Sequence, residues 1–238
     1  MDSITPSPRS NAWIRATKTR FFWLLAALVS FILIAPSIPA SSAGQGEVIV
    51  MSLLIFCGAT YVSQGPSRTW VASILALVLG VVSTLYLVLD DPTYLRLIIL
   101  IVLLFTLAYT AVNVLSFVLE SGVVTIEHIF GAICAYVLIT MAFATLYFIL
   151  ESLQPGSFSG VRLVAIEDRP WWQFFYFSCS TLSTVGFGDI VPVTLRARSF
   201  VVIEQLVAVF YVAILISRLT GMYTTTLATA FEKEEPRD

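Results

Sequence analysis

Six long runs, each nearly free of charge, punctuate this chain: Phe21–Ala40, Val48–Ser67, Thr69–Leu89, Leu97–Leu119, Ile129–Leu150 and Ser199–Ser217. A hydrocarbon core about 30 Å thick is crossed by roughly 20 helical residues, so each run predicts a transmembrane helix. The second loses its apolar character near Val62, and the sixth is interrupted only by Glu204. None of the runs alternates in the manner of a membrane barrel strand. Between the fifth and sixth lies a seventh apolar stretch, Trp171–Leu182. At about twelve residues it is too short to cross, so it is expected to enter the membrane and return on the same side. The backbone leaving such a half-helix carries unpaired polar groups at membrane depth, tolerated only where protein buries them or water and ions meet them.

Flanking residues refine this plan. Pro155, Gly156, Ser157, Ser159 and Gly160, followed by Arg162, Glu167, Asp168 and Arg169, predict an exposed loop over 151–170. Pro170 suits the first turn of the short helix, with Glu167 and Asp168 near its positive end. Trp171 and Trp172 there are expected at headgroup level as interfacial anchors. The negative end of the helix is expected to face a cavity and favour a cation.

Composition agrees with a membrane protein: 58% of the 238 residues are apolar and 12% charged, against roughly a quarter charged in soluble domains. Thirteen basic and fifteen acidic residues, net −2, sit mostly in loops and tails, which argues against a nucleic-acid partner. Arg9, Arg15, Lys18 and Arg20 precede the first run, Arg68 follows the second and Arg218 closes the sixth. The excess of positive charge on those sides predicts both termini in the cytoplasm and 151–198 outside. The loop carrying Glu120, Glu127 and His128 has no Lys or Arg, but acidic residues count for little in this rule. Basic residues, an apolar run and the small residues Ala40, Ser41, Ser42 and Ala43 also describe a cleaved signal. The first run is longer than the 7–15 residues usual for a signal core, and its removal would leave five spans with the sidedness of the carboxyl-terminal half unchanged.

Cys57, Cys134 and Cys179 lie in apolar runs without a CxxC pair, so free buried thiols are expected, with no disulfide framework and no zinc site. His128 is the sole histidine, at the edge of a run, and reads as an interfacial side chain.

After the short helix comes Thr181-Leu182-Ser183-Thr184-Val185-Gly186-Phe187-Gly188-Asp189-Ile190. Glycines alternating with larger residues permit a backbone whose successive peptide groups turn the same way, so carbonyl oxygens can line one axis. Four copies around a fourfold axis would stack rings of oxygens in place of an ion's water shell, with the Thr184 hydroxyl adding one more ring.

Thr184-Val185-Gly186-Phe187-Gly188-Asp189 resembles the filter signature of potassium channels, Thr-Val-Gly-Tyr/Phe-Gly-Asp. The resemblance covers roughly 129–221 as a span, a turret, a pore helix, a filter and a final span. It implies that backbone carbonyls of Thr184, Val185, Gly186 and Phe187 bind potassium, and that Gly188 and Asp189 finish the outer mouth. It also implies an aromatic pair eight and seven residues before the filter threonine, here Tyr176 and Phe177, with Tyr176 donating to Asp189. A packing role for Tyr176 is the alternative. Phe187 stands for the commoner tyrosine, Ser183 for the usual threonine, and Ala208 where many relatives have a hinge glycine, so the gate's bend is not given.

Glu204 is the one ionisable residue well inside a run, and a charge at a helix centre costs about 2.5–3.5 kcal/mol, so a partner or cavity is implied. It would support the filter through pore-helix hydroxyls such as Ser180, draw cations electrostatically, or simply join two helices. Leu97–Leu119 contains no arginine and Arg96 lies just outside it. Moving one such charge in each of four copies gives only about 9 kcal/mol per 100 mV, so steep voltage gating is not expected.

These readings combine into an all-α membrane protein with six transmembrane helices and a re-entrant pore helix and filter between the fifth and sixth, forming a tetrameric channel. The expected segments are 1–20 in the cytoplasm, 21–120 as a four-helix membrane domain, 127–221 as a pore domain and 222–238 as a short cytoplasmic tail. That tail ends in the solvated string Glu232–Asp238 and leaves no room for a nucleotide- or calcium-binding domain. Neither enzyme activity nor a cofactor is expected, and no resident metal, only potassium as the permeant ion. The expected partners are identical copies in a homotetramer and the lipid bilayer, in a plasma or inner membrane. A non-conducting regulatory or sensory subunit and a potassium uptake carrier are the competing readings. An intramembrane enzyme built on Glu204, Asp189 and Ser183 lacks a nucleophile and base at recognisable spacing.

Overall fold

The computed structural model describes residues 20–34, 74, 77–81, 93–119, 126–161 and 170–234. Five helices are resolved among them: α1 Arg20–Ile34, α2 Thr93–Leu119, α3 Ile126–Leu153, α4 Pro170–Leu182 and α5 Leu195–Glu234. Residues 74 and 77–81 are also helical. Among the described residues, three segments are long and apolar enough to cross a bilayer: Tyr94–Leu119, Ile126–Leu153 and Leu195–Arg218. They correspond to the fourth, fifth and sixth expected spans. The second, Val48–Ser67, lies outside the described residues, as do most of the third and residues 35–40 of the first.

The helices overrun the apolar runs that predicted them, because helical hydrogen bonding does not stop where hydropathy does. α2 takes in Arg96, and α3 takes in Glu127, His128 and Glu151, all outside the apolar runs. α5 continues to Glu234, so the segment expected as a tail from residue 222 is helical over most of its length. Hydroxyls within these apolar helices bond back to their own backbone: Thr106 to the Val102 carbonyl, Thr110 to Thr106, Thr145 to Met141 and Ser152 to Phe148. A polar group so paired can sit in hydrocarbon at little cost.

Two compact units divide the chain within α3, one comprising 1–118 and 125–139, the other 119–124 and 140–238. In the first, Phe21 stacks on Phe117 at 4.7 Å and Phe117 stacks on His128 at 4.7 Å. Buried Glu127 accepts the Phe21 amide at 3.1 Å. That amide belongs to the first turn of α1, where helix N–H groups lack partners, and a carboxylate there also answers the helix dipole. Cys134 is buried, with its thiol 3.5 Å from the Phe21 carbonyl.

The second unit packs α4 between α3 and α5. Phe158 wedges among Tyr147, Phe174 and Phe177, with ring centroids 5.2, 5.2 and 5.6 Å away in edge-on geometry. Such aromatic pairs contribute beyond their buried area. The loop expected to be exposed is partly internal, since Glu151, Ser157 and Phe158 are buried. Glu151 explains it: its carboxylate accepts the Gly156 amide at 2.7 Å and the Phe158 amide at 3.0 Å, folding the loop back under α3. The strand β1, Phe158–Ser159, then pairs antiparallel with β2, Val191–Pro192, a short ladder that the all-helical expectation omitted. Thr194 caps α5 by accepting the Ala197 amide, and the Arg198 guanidinium donates to the Pro192 carbonyl at 3.2 Å.

Removing one acceptor that serves two backbone amides leaves both without it. Glu151→Ala is expected to lower stability by about 2–3 kcal/mol, read as a fall in the thermal unfolding midpoint in lipid or detergent. Glu151→Gln, which keeps one carbonyl acceptor, is expected to lose about half as much.

Candidate functional site, the segment between pore helix and final span

α4 has 13 residues, about 20 Å of helix at 1.5 Å per residue, and is therefore too short to cross a hydrocarbon core about 30 Å thick. Its start is held by protein contacts as well as by whatever interface the tryptophans meet. The Trp171 indole N–H donates to Thr145 at 3.1 Å, and its ring stacks on Phe175. Trp172 sits edge-on to both rings. Phe174, Phe177, Ser178, Thr181 and Leu182 are buried, while Tyr176, Cys179 and Ser183 share an exposed face of the single chain. Cys179 is thus exposed, not buried as expected. Glu167 and Asp168 lie outside the described residues.

The end of α4 is capped by the segment that follows it. Thr184 N–H donates to the Thr181 carbonyl at 3.0 Å, and Val185 N–H reaches back to the Ser180 carbonyl at 2.9 Å. This pair of bonds, with Thr184 at φ 61°, is a Schellman cap. Gly186 N–H joins Val185 on the Ser180 carbonyl at 3.0 Å, and Ser183 N–H takes the Cys179 carbonyl. The last carbonyls of the helix therefore hold the amides of Ser183 to Gly186, a more specific use of that end than the general dipole expected of it.

The alternation is visible in the dihedrals. Thr184, Gly186 and Gly188 have φ of 61°, 56° and 80°, whereas the residues between them do not have positive φ. Glycine takes this region freely, but a β-branched residue does so only when its surroundings impose it, at about 1–3 kcal/mol. Four consecutive amides, Ser183 to Gly186, point into the pore helix, and none of the carbonyls of Thr184 to Gly188 accepts a hydrogen bond from the described residues. Val185 and Phe187 expose their side chains in the single chain.

Beyond the glycines, Tyr176 and Phe187 stack with centroids 5.8 Å apart and planes 9° from parallel. The Tyr176 phenol hydrogen-bonds with Asp189; desolvation, then that hydrogen bond and the carboxylate's charge, raise its pKa above the ordinary tyrosine value. Asp189 also accepts its neighbour's amide, from Ile190 at 3.0 Å. Phe177, the other member of the aromatic pair, is buried against Tyr147 and Phe158.

Glu204 makes no hydrogen bond to the 184–188 segment. It is wholly buried behind α4, where the Tyr147 hydroxyl donates to Oε2 at 2.6 Å and the Ser178 hydroxyl contacts Oε1. The expected partner Ser180 instead donates to the Phe177 carbonyl at 2.9 Å, because its hydroxyl turns along its own helix. The sequence alone does not mark Tyr147, Ser178 or Glu151, and it marks Gly160 only as a loop residue. Gly160, at φ 89°, backs directly on Asp189, just past the glycines: a Cβ there would lie 1.9 Å from the Asp189 carbonyl oxygen. The Ser-Gly turn signal marked a loop but not what it touches.

Residues 134–225 match the family described as ion channel. A stretch of 62 residues, 25% of the chain, is 40% identical to the potassium channel protein kcv of Paramecium bursaria Chlorella virus 1. The match spans 65% of the length of that viral protein. An integral membrane ion-channel domain is the class that fold, site and likeness define together. Over this segment the chain is similar to ion channels, the viral potassium channel among them.

Gly160→Ala is expected to push the loop off the filter exit, since a backbone oxygen cannot be accommodated at 1.9 Å from a methyl carbon. Hydrogen exchange at the Val193 amide, which now bonds to Ser157 at 2.8 Å, reads the displacement and should speed up. An unchanged rate would show that the loop does not brace the exit.

Proposed function

We propose that the protein is a potassium-selective channel in which four copies surround one axis and passive conduction runs between their 184–188 segments. The observation that carries this reading is the one-sided use of the backbone: amides of Ser183 to Gly186 are bound to the pore helix while the carbonyls beyond them are left to face elsewhere. In hydrocarbon an unpaired carbonyl is costly, and a dehydrated monovalent cation is a partner that could repay it. Thr184, Val185, Gly186 and Phe187 would supply the coordinating backbone oxygens, with the Thr184 hydroxyl as a further ring. Gly188 and Asp189 would form the outer mouth, steadied by Tyr176. Glu204 would support the filter from behind, through the pore helix. Potassium would pass as cargo, and no cofactor takes part.

Several features support the assembly. The filter segment and the face of α5 bearing Val202, Ile203, Leu206, Val209 and Phe210 are exposed in the single chain, as surfaces that meet other copies or lipid would be. Phe187 in place of tyrosine keeps the coordinating groups, which belong to the backbone. Both termini would be cytoplasmic, and the chain up to residue 120 would serve packing or a sensing role.

Purified protein in liposomes is expected to pass potassium and rubidium down a gradient and to disfavour sodium strongly. Slow, saturating flux would indicate a carrier instead, and no flux a regulatory subunit. Gly186→Ala is expected to leave assembly intact and to cut flux by more than about tenfold. A methyl group meets open space there, but φ 56° strains an alanine by about 1 kcal/mol or more in every copy. Unchanged flux in this variant would remove Gly186 from the conduction path.

A further inference from the structure

The buried carboxyl group of Glu204 raises a question of proton count. Tyr147 on α3 donates to its Oε2, and Ser178 on α4 contacts its Oε1. The same Ser178 oxygen lies 3.0 Å from the Thr140 carbonyl oxygen. A serine hydroxyl owns one proton and two lone pairs. With an ionised carboxylate, the carbonyl and the carboxylate compete for that single proton, and one of the two contacts sets lone pair against lone pair. One additional proton resolves this. Placed on Oε1, it is donated to Ser178, which passes its own to Thr140, and each contact then has one donor and one acceptor.

Burial points the same way. The groups facing Glu204 are the Tyr147 phenol from α3 and, from α4, the Ser178 hydroxyl and the Cys179 thiol within electrostatic reach. None of them supplies a positive charge, and an ionised carboxylate so enclosed has only dipoles to replace its water.

We propose that Glu204 is a positioning residue that acts in its protonated form: the neutral carboxyl ties the pore helix to α3 and α5, and removing its proton releases the filter. The route is short. Ser178 is two residues from Ser180, whose carbonyl holds the amides of both Val185 and Gly186. A shift of α4 at Ser178 is therefore a shift of the filter's inner half. Conduction should be sustained at low and neutral pH and lost as pH rises through the titration of Glu204. This inference rests on the conducting role proposed above.

The test uses the full chain in liposomes, with rubidium uptake measured while pH is varied equally on both sides. Glu204→Gln places a neutral group of the same shape, whose amide can donate to Ser178 and whose oxygen can accept from Tyr147. The wild type should lose about tenfold or more of its flux on alkalinisation, the scale of losing one hydrogen bond to a buried polar group. The glutamine variant should conduct with a flat profile, and Glu204→Ala should be low throughout. Identical pH profiles for wild type and Glu204→Gln, or an assembled but inactive glutamine variant, would overturn the proposal. Infrared difference spectroscopy at neutral pH supplies a readout independent of flux. A protonated-carboxyl band present in the wild type and missing in Glu204→Gln supports the proposal, and its absence from the wild type refutes it. A wild type that passes no rubidium at any pH would refute the channel reading instead, while the carboxyl band would still decide the state of Glu204.

Discussion

A peptide group inside a membrane must have both its N–H and its C=O paired, and the segment from Thr184 to Gly188 meets that demand internally only for its first three amides. Its first amides close onto the carbonyl end of the pore helix. Because a peptide plane is rigid, committing the N–H to one side turns the C=O to the other. The alternating positive φ at Thr184, Gly186 and Gly188 keeps successive planes in step. The short helix, its cap and the glycines thus serve one requirement, that several carbonyls share a direction with nothing of their own chain to bind. In the proposed channel, potassium and three further copies complete the pairing.

A segment in such a conformation must be held from outside, and the second compact unit is organised to do so. Ser180 grips its inner half by two amides. Tyr176 reaches its outer end by stacking on Phe187 and bonding Asp189. The exit is backed by Gly160 and continued as β2, which pairs with a loop folded by Glu151. Behind the helix, Tyr147, Ser178 and Glu204 join three elements at one buried point. Thr184 shows the result, since a β-branched side chain at φ 61° persists only where its neighbours over-determine it.

The sequence made the apolar helices legible because hydropathy and length are local properties. Pro170 and Leu182 were recognisable as the limits of the short helix, and the glycine alternation pointed to the filter. Helix ends were less legible: Glu127 and Glu151 look like loop residues by charge, yet each is inside α3 with its carboxylate accepting backbone amides, Glu127 from Phe21 and Glu151 from the loop that follows it. The need of Glu204 for a partner was readable from its depth, but its choice of Ser178 over Ser180 depends on which side of α4 faces α5. Gly160 and the β1–β2 ladder arise from contacts about thirty residues apart, which no periodicity encodes.

The most direct measurement is an ion-density map of the protein in a bilayer with thallium replacing potassium, the metal identified by its anomalous scattering. The account predicts a file of ion peaks on a fourfold axis, lying between the carbonyl oxygens of Thr184 to Phe187. A map with no peak at those oxygens, or a particle containing one copy of the chain, would contradict it.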